Sequence, residues 1–252
     1  LVFKRDLTFR TPVMNASGTL GFVPDRHAPV LWDGLGAFVT NPLSLRPRQP
    51  AAEPELIEYP GGILLHTGLP NPGMTAAIQR YARRWASADL SIIVHLMADR
   101  PEETARMVQR LESLENVMAV ELGFAPQLAP DIILLASEIS LGELPLIVSL
   151  SAEQVLMLGP RVMDAGAAAV SLAAPRGALP SGETIVTGRL YGPGLFPQAL
   201  DTVVNAAKLG LPIIGSGGVH SEENASAMLQ AGALAVQLDT VLWKGDWKYG
   251  ST

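Results

Sequence analysis

Two short segments hold the residue types best suited to chemistry. Gly215-Ser-Gly-Gly218 follows the apolar run Leu211–Ile214, and Ala235-Val-Gln-Leu-Asp-Thr240 comes shortly after it. Glycines at a strand end let backbone N–H groups converge on an anion, and a helix starting just beyond them favours phosphate. Asp239 stands where such a site wants a bare amide. A carboxylate about 4–6 Å from a phosphate repels it by about a kcal/mol or more. His95 lies on a candidate strand, His66 in a Pro-rich loop and His220 beside the glycine turn, but no His-x-x-x-His spacing joins them, so no metal site is expected. His66 or His95 could act as acid or base, the alternative being a satisfied core or surface histidine. Glu121 reads either as a paired core acid or as a catalytic one, and Arg176 and Arg189 either as partners for an anion or as solvated loop arginines.

Positioning these residues requires a particular order of elements. Strand-like runs alternate with helical ones along the whole chain, the pattern of βα units around a parallel sheet. The expected barrel strands are Val13–Ala16, Ala37–Thr40, Ser91–Met97, Ala119–Leu122, Leu146–Leu150, Ala169–Leu172, Pro212–Gly215 and Ala235–Leu238. Ile63–His66 is set aside as a strand over the barrel top. Between them Met74, Ile78, Tyr81 and Trp85 recur at helical spacing, as do Val155, Leu158 and Val162. Asp164-Ala-Gly-Ala167 and Gln230-Ala-Gly-Ala233 each end a helix on a glycine suited to a left-handed cap. Asn41–Pro60 and Ala173–Pro193 follow strand C-termini and read as working loops. The fold is therefore an α/β, (β/α)8 TIM barrel forming one domain over residues 1–252. Asp239–Thr252 is too short for a standard eighth helix, leaving the last face open or covered by a partner.

Composition narrows the partners. Eighteen basic and twenty-four acidic residues give a net charge of −6 without a basic cluster, which argues against nucleic acid. An apolar share of 48% fits strands buried on both faces, while no apolar run is long enough to span a membrane. The absence of cysteine excludes disulfides, thiolate metal sites and a cysteine nucleophile. No basic-then-apolar leader opens the chain, so a cytoplasmic location is expected.

Read together, the strand ends resemble the dihydroorotate dehydrogenase family, most closely its soluble class 1 members. The resemblance rests on Asn15-Ala-Ser-Gly18, Ser44-Leu-Arg-Pro-Arg48, Gly68-Leu-Pro-Asn-Pro-Gly73, Glu121-Leu122, Gly192-Pro-Gly-Leu-Phe-Pro197 and Pro212-Ile-Ile-Gly-Ser-Gly-Gly-Val219, in the family's order. It implies FMN as cofactor and oxidation of a dihydropyrimidine. By resemblance, FMN contacts fall on Ala16, Ser17, Gly18, Asn41, Ser149, Gly192, Gly217, Gly218 and Thr240. Substrate contacts fall on Asn71 and His66.

The same alignment marks departures. The catalytic base falls on Ala125, which accepts no proton. The two flavin-site lysines fall on Asn41 and Ser149, removing charge that would stabilise a reduced flavin. Gly123, Leu65 and Ala174 replace asparagines, and Asp239 replaces a glycine. The expectation is a dihydroorotate dehydrogenase-like protein impaired in catalysis. The alternatives are a scaffold or subunit that no longer binds FMN, or a barrel for another phosphorylated ligand. A homo-oligomer or a place in a complex is expected.

Overall fold

Runs such as Ile92-Ile-Val94 and Ile147-Val148 are apolar at successive positions, and strands of that kind are stable only with both faces covered. The computed structural model, which describes residues 7–245 and 247, meets this demand with a closed parallel barrel wrapped by helices. In chain order the elements begin β1 (Val13–Asn15), β2 (Ala37–Val39), β3 (Leu56–Tyr59), β4 (Gly62–Leu65) and α1 (Met74–Ala86). There follow β5 (Ser91–Met97), α2 (Pro101–Leu111), β6 (Val117–Gly123), α3 (Pro130–Ile139), β7 (Leu146–Leu150) and α4 (Ala152–Ala165). The last part holds β8 (Ala169–Leu172), β9 (Arg176–Ser181), β10 (Thr184–Tyr191), α5 (Phe196–Lys208), β11 (Ile213–Ser216), α6 (Glu222–Gln230) and β12 (Ala235–Leu238).

The barrel closes in the order β1-β12-β11-β8-β7-β6-β5-β2, with β1 pairing in parallel with both β12 and β2. Its (β/α)8 architecture is the one expected. Two layers of apolar side chains hold it. Met14, Val39, Ile93, Ile147 and Ile214 meet inside the barrel, whereas Phe38, Val94, Leu122, Val148 and Val236 face the helices. Each large side chain so buried contributes about 1.5–3 kcal/mol. Trp85 of α1 is fully buried and donates Nε1–H to the Phe22 carbonyl at 2.7 Å, anchoring the helix to the loop after β1. Gly166 caps α4 in the left-handed region, and Gly232 takes φ +105 just beyond α6, as their sequence contexts require.

Three local expectations need correction. The turn-rich stretch Ala173–Pro193 is a β-hairpin, β9 with β10, and Asn41–Pro60 contains β3. With β4 they form a four-stranded antiparallel sheet in the order β3-β4-β10-β9. This sheet lies over the barrel mouth, and β4 is the strand expected there. Prolines and glycines in these segments favour turns locally, but pairing with strands distant in sequence overrides them. The first βα unit also lacks an α-helix: among the described residues a single 3-10 turn, Trp32–Gly34, separates β1 from β2. After β12 comes another 3-10 turn, Thr240–Lys244. The rest of the expectation about the eighth helix falls on residues 246 and 248–252, outside the described residues. No described helix is long and apolar enough to cross a membrane.

Candidate functional site

Strand parity decides which side chains reach the mouth. Two positions beyond each inner apolar residue, the next inward side chain sits one layer higher. Ile93 is followed by His95, Ala119 by Glu121, Ile147 by Ser149, Ala169 by Ser171, Ile214 by Ser216 and Ala235 by Gln237. An apolar floor thus carries a polar layer. All of that layer except Ser171 lines a cavity of about 350 Å³, together with Ala16, Ser17, Ala125, Tyr191 and Gly217. An adjoining cavity of about 360 Å³ shares His95, Gly123, Ala125, Arg176, Arg189 and Tyr191, and reaches Gly18, Asn41 and His66.

Glu121 organises the polar layer. Its Oε2 lies 2.7 Å from His95 Nδ1, and its Oε1 accepts from Ser171 Oγ at 2.6 Å and Gln237 Nε2 at 2.9 Å. Burial works to raise its pKa, but the bonds and charge of His95, with Ser171 and Gln237, hold it below the ordinary carboxylate value. An ionised carboxylate only accepts, so His95 Nδ1 is the donor. Thr40, just beyond the adjacent strand β2, accepts the His95 backbone N–H on Oγ1 at 3.1 Å.

At the other side of the mouth the glycine turn is closed by the chain itself. Asp239 is 2% exposed, and its Oδ1 accepts the Thr240 backbone N–H at 2.5 Å and the Thr240 hydroxyl at 3.1 Å. Burial pushes its carboxyl up. Thr240, then His220 and the Gly218 amide, pull in the opposite direction without reversing the shift. Gly218 has φ +69, and a Cβ there would overlap the backbone nitrogen of Phe196 at the start of α5. It is glycine because α5 packs against it. Gly217, at φ +110, has only the Ala199 Cβ at 3.3 Å beside its missing side chain.

The structure brings some of the residues expected at the site together and commits others elsewhere. Ala16, Ser17, Ser149 and Gly217 line one cavity, and Gly18, Asn41 and His66 the other. Ser17 Oγ donates to the Thr40 carbonyl at 2.8 Å, while Asn41 Oδ1 accepts the Gly21 N–H at 3.0 Å and so fixes the loop after β1. His66 Nδ1 donates to the Thr187 carbonyl at 2.8 Å, tying β4 to β10. Asn71 is absorbed in its own loop: Oδ1 accepts from Ser44 and Gly73, and Nδ2 donates to Ser44 Oγ and the Leu69 carbonyl. A Cβ at Gly192 would overlap the Gly61 carbonyl, a close approach of backbones rather than a ligand contact. Neither Asn71, Gly192, Gly218 nor Thr240 lines either cavity. Ala125 lines both with a methyl group, its N–H donated to Asp99 Oδ1 at 2.7 Å.

Ser171, Gln237 and Thr40 were not singled out from the sequence. The signal exists in hindsight, since Ala119-Val-Glu-Leu122, Ala169-Val-Ser-Leu172 and Ala235-Val-Gln-Leu238 place a polar residue in one repeated slot. Among the described residues no group of three or more His, Asp or Glu side chains could hold a metal ion.

Comparison with known proteins agrees with this geometry at the level of the fold and family. Residues 4–130 and 173–251 match the sequence profile of "Dihydroorotate dehydrogenase". The catalytic subunit of dihydroorotate dehydrogenase B (NAD(+)) from Pelobacter propionicus is 33% identical, over 93% of this chain and 84% of that protein. The corresponding subunit from Trichlorobacter lovleyi is also 33% identical, with the same coverage. Among solved structures, a dihydroorotate dehydrogenase from Eimeria tenella in complex with ferulenol superposes with a TM-score of 0.74 at 17% identity. That match covers 93% of this chain and 77% of the other.

Proposed function

The chain belongs to the dihydroorotate dehydrogenase family, and from this we infer that it keeps the family's barrel without the family's FMN-dependent oxidation of dihydroorotate. What carries the reading is the Asp239 carboxylate on the Thr240 amide. Members of the family use FMN. A phosphate in this turn needs free amides and compensating positive charge. Here the Thr240 amide is already taken by a carboxylate, and Asn41 and Ser149 stand where lysines were expected. The residues present do not fit FMN. The Ala125 methyl at the expected base position supports the same reading, because no proton can be taken there.

A subunit role goes with it. The relatives named above are catalytic subunits, and exposed apolar side chains gather on α3 and α4 at Leu135, Ile139, Leu156 and Met157. These lie between the two segments that match the family. An apolar face of this kind suits a protein partner, whether a second copy or another chain. The purified protein is expected to be colourless and to give no dihydroorotate-dependent reduction of an acceptor dye. A yellow protein holding close to one flavin per chain and turning over dihydroorotate would overturn the reading.

A further inference from the structure

The floor of the cavity holds a buried, hydrogen-bonded His95–Glu121 pair that the reading above does not use. Glu121 holds a proton on His95 Nδ1 and also accepts from Ser171 and Gln237, so whenever the ring is uncharged its acceptor nitrogen is Nε2. Nε2 makes no hydrogen bond to a described residue, and His95 lines both cavities. The neighbouring position explains why that nitrogen is open. A Cβ at Gly123 would overlap His95 Nε2, and Gly123 does not have the positive φ that would demand glycine on backbone grounds. Glycine at 123 leaves room for the imidazole at the cavity edge.

Above this floor Arg176 and Arg189 are direct cross-strand partners of β9 and β10, and both line both cavities. Like charges placed directly opposite each other destabilise a sheet. Burial and the Arg189 charge both disfavour the charged form of Arg176. Neither arginine makes an ion pair with a described carboxylate. Two guanidiniums on one face with no carboxylate partner among the described residues, Arg189 also bonding Tyr191, suit a bound carboxylate, which they can grip through several charge-assisted bonds.

We propose that the mouth binds a small carboxylate through Arg176 and Arg189 and that His95 Nε2 removes a proton from a carbon beside a carbonyl of that ligand. Protons on oxygen and nitrogen exchange with water unaided, whereas a C–H proton needs an oriented base. The C–H bond breaks, its electron pair stays on the ligand as an enolate, and the proton forms an N–H bond on Nε2. The imidazolium is paired with Glu121, which acts as a positioning residue. Return of a solvent-exchanged proton to carbon completes a cycle with no oxidant or reductant. The ligand would occupy the cavity that Ala16, Ser17, Ser149 and Gly217 also line, so the proposal rests on the reading that this chain does not hold FMN.

Proton NMR in deuterium oxide tests this with pyruvate and 2-oxoglutarate as probes, following loss of the C3 proton signals. Wild-type protein is expected to exchange at least one probe about 100-fold or more above buffer. His95→Gln should abolish that excess, and Arg189→Met should raise the probe concentration required. Exchange at the buffer rate for both probes, or an unchanged rate in H95Q, overturns the proposal. A nitrogen-15 spectrum of wild-type protein provides a second readout that requires no variant to fold. The His95 proton should be on Nδ1, moving to a mixture of tautomers in Glu121→Gln; a proton found on Nε2 in wild type contradicts the assignment. The flavin content of the same samples is read separately: flavin-free protein that exchanges neither probe overturns this proposal alone, whereas flavin-loaded protein overturns the reading of Asp239 and this proposal with it.

Discussion

The two sides of the barrel mouth are built differently. Between β11 and β12 the glycine motif survives in sequence, yet its Thr240 amide is bonded to Asp239 and Gly218 is held by packing against α5. At β5 and β6 the expected base position after β6 is the methyl of Ala125, yet His95 and Glu121 join Ser171 of β8 and Gln237 of β12 in a connected buried network beside the cavity. A glycine at a strand end can therefore report packing against its neighbours rather than contact with a ligand. Gly218 and Gly123 show this at single positions. The first is required by a neighbouring backbone, the second by a neighbouring side chain.

The largest effect that would break this comparison is at Glu121. Glu121→Ala leaves His95 Nδ1, Ser171 Oγ and Gln237 Nε2 without their acceptor, and should lower unfolding free energy by about 3–5 kcal/mol in urea titration. A loss under about 1 kcal/mol would mean the network is solvated rather than structural. Next comes the glycine turn. Gly218→Ala should cost about 1–3 kcal/mol through strain at positive φ and overlap with Phe196, with no ligand present. Gly217→Ala, with more room, should cost less in the same melt. Equal costs would undo the packing account of Gly218.

The two buried carboxyls should also differ in the sign of their pH dependence. Glu121 has a lowered folded pKa, so its contribution is present above the unfolded value and is lost as pH falls through the folded one. Asp239 has a raised pKa, so the folded state binds more protons across the window above 3.8. Its contribution is present below that value and is lost as pH rises through the folded pKa. Asp239→Asn can still accept the Thr240 N–H and should remove that loss, flattening the upper part of a stability-versus-pH curve. An unchanged curve would show that Asp239 is not the titrating group. The smallest effect is Asn41→Ala, which removes the bond to the Gly21 amide and should cost about 1 kcal/mol in thermal unfolding.

Much of the barrel was legible because its strands are buried on both faces. Ser91–Met97 and Leu146–Leu150 were bounded as found, since apolar runs between polar turns leave little choice. The sheet over the mouth was less readable. Gly177, Pro180, Gly182 and Gly188 make β9 and β10 look like a loop, and what holds them is pairing with each other and with β4, more than a hundred residues away. Two site features were hidden for the same reason. The contact of His95 with Glu121 depends on the register of β5 against β6, and the opposition of Arg176 and Arg189 on that of β9 against β10. The residue type of Asp239 suggests an obstacle to phosphate, but its bond to the adjacent Thr240 amide depends on a local backbone conformation that residue types alone do not specify.

Fluorescence titration of FMN into wild-type protein and Asp239→Gly, side by side, bears most directly on the proposed role of Asp239 at the glycine turn. Wild type should leave free-flavin fluorescence unchanged, while the variant, with its Thr240 amide released, should gain measurable FMN binding. Saturable binding of one FMN per chain by wild type, no weaker than by the variant, would contradict the account.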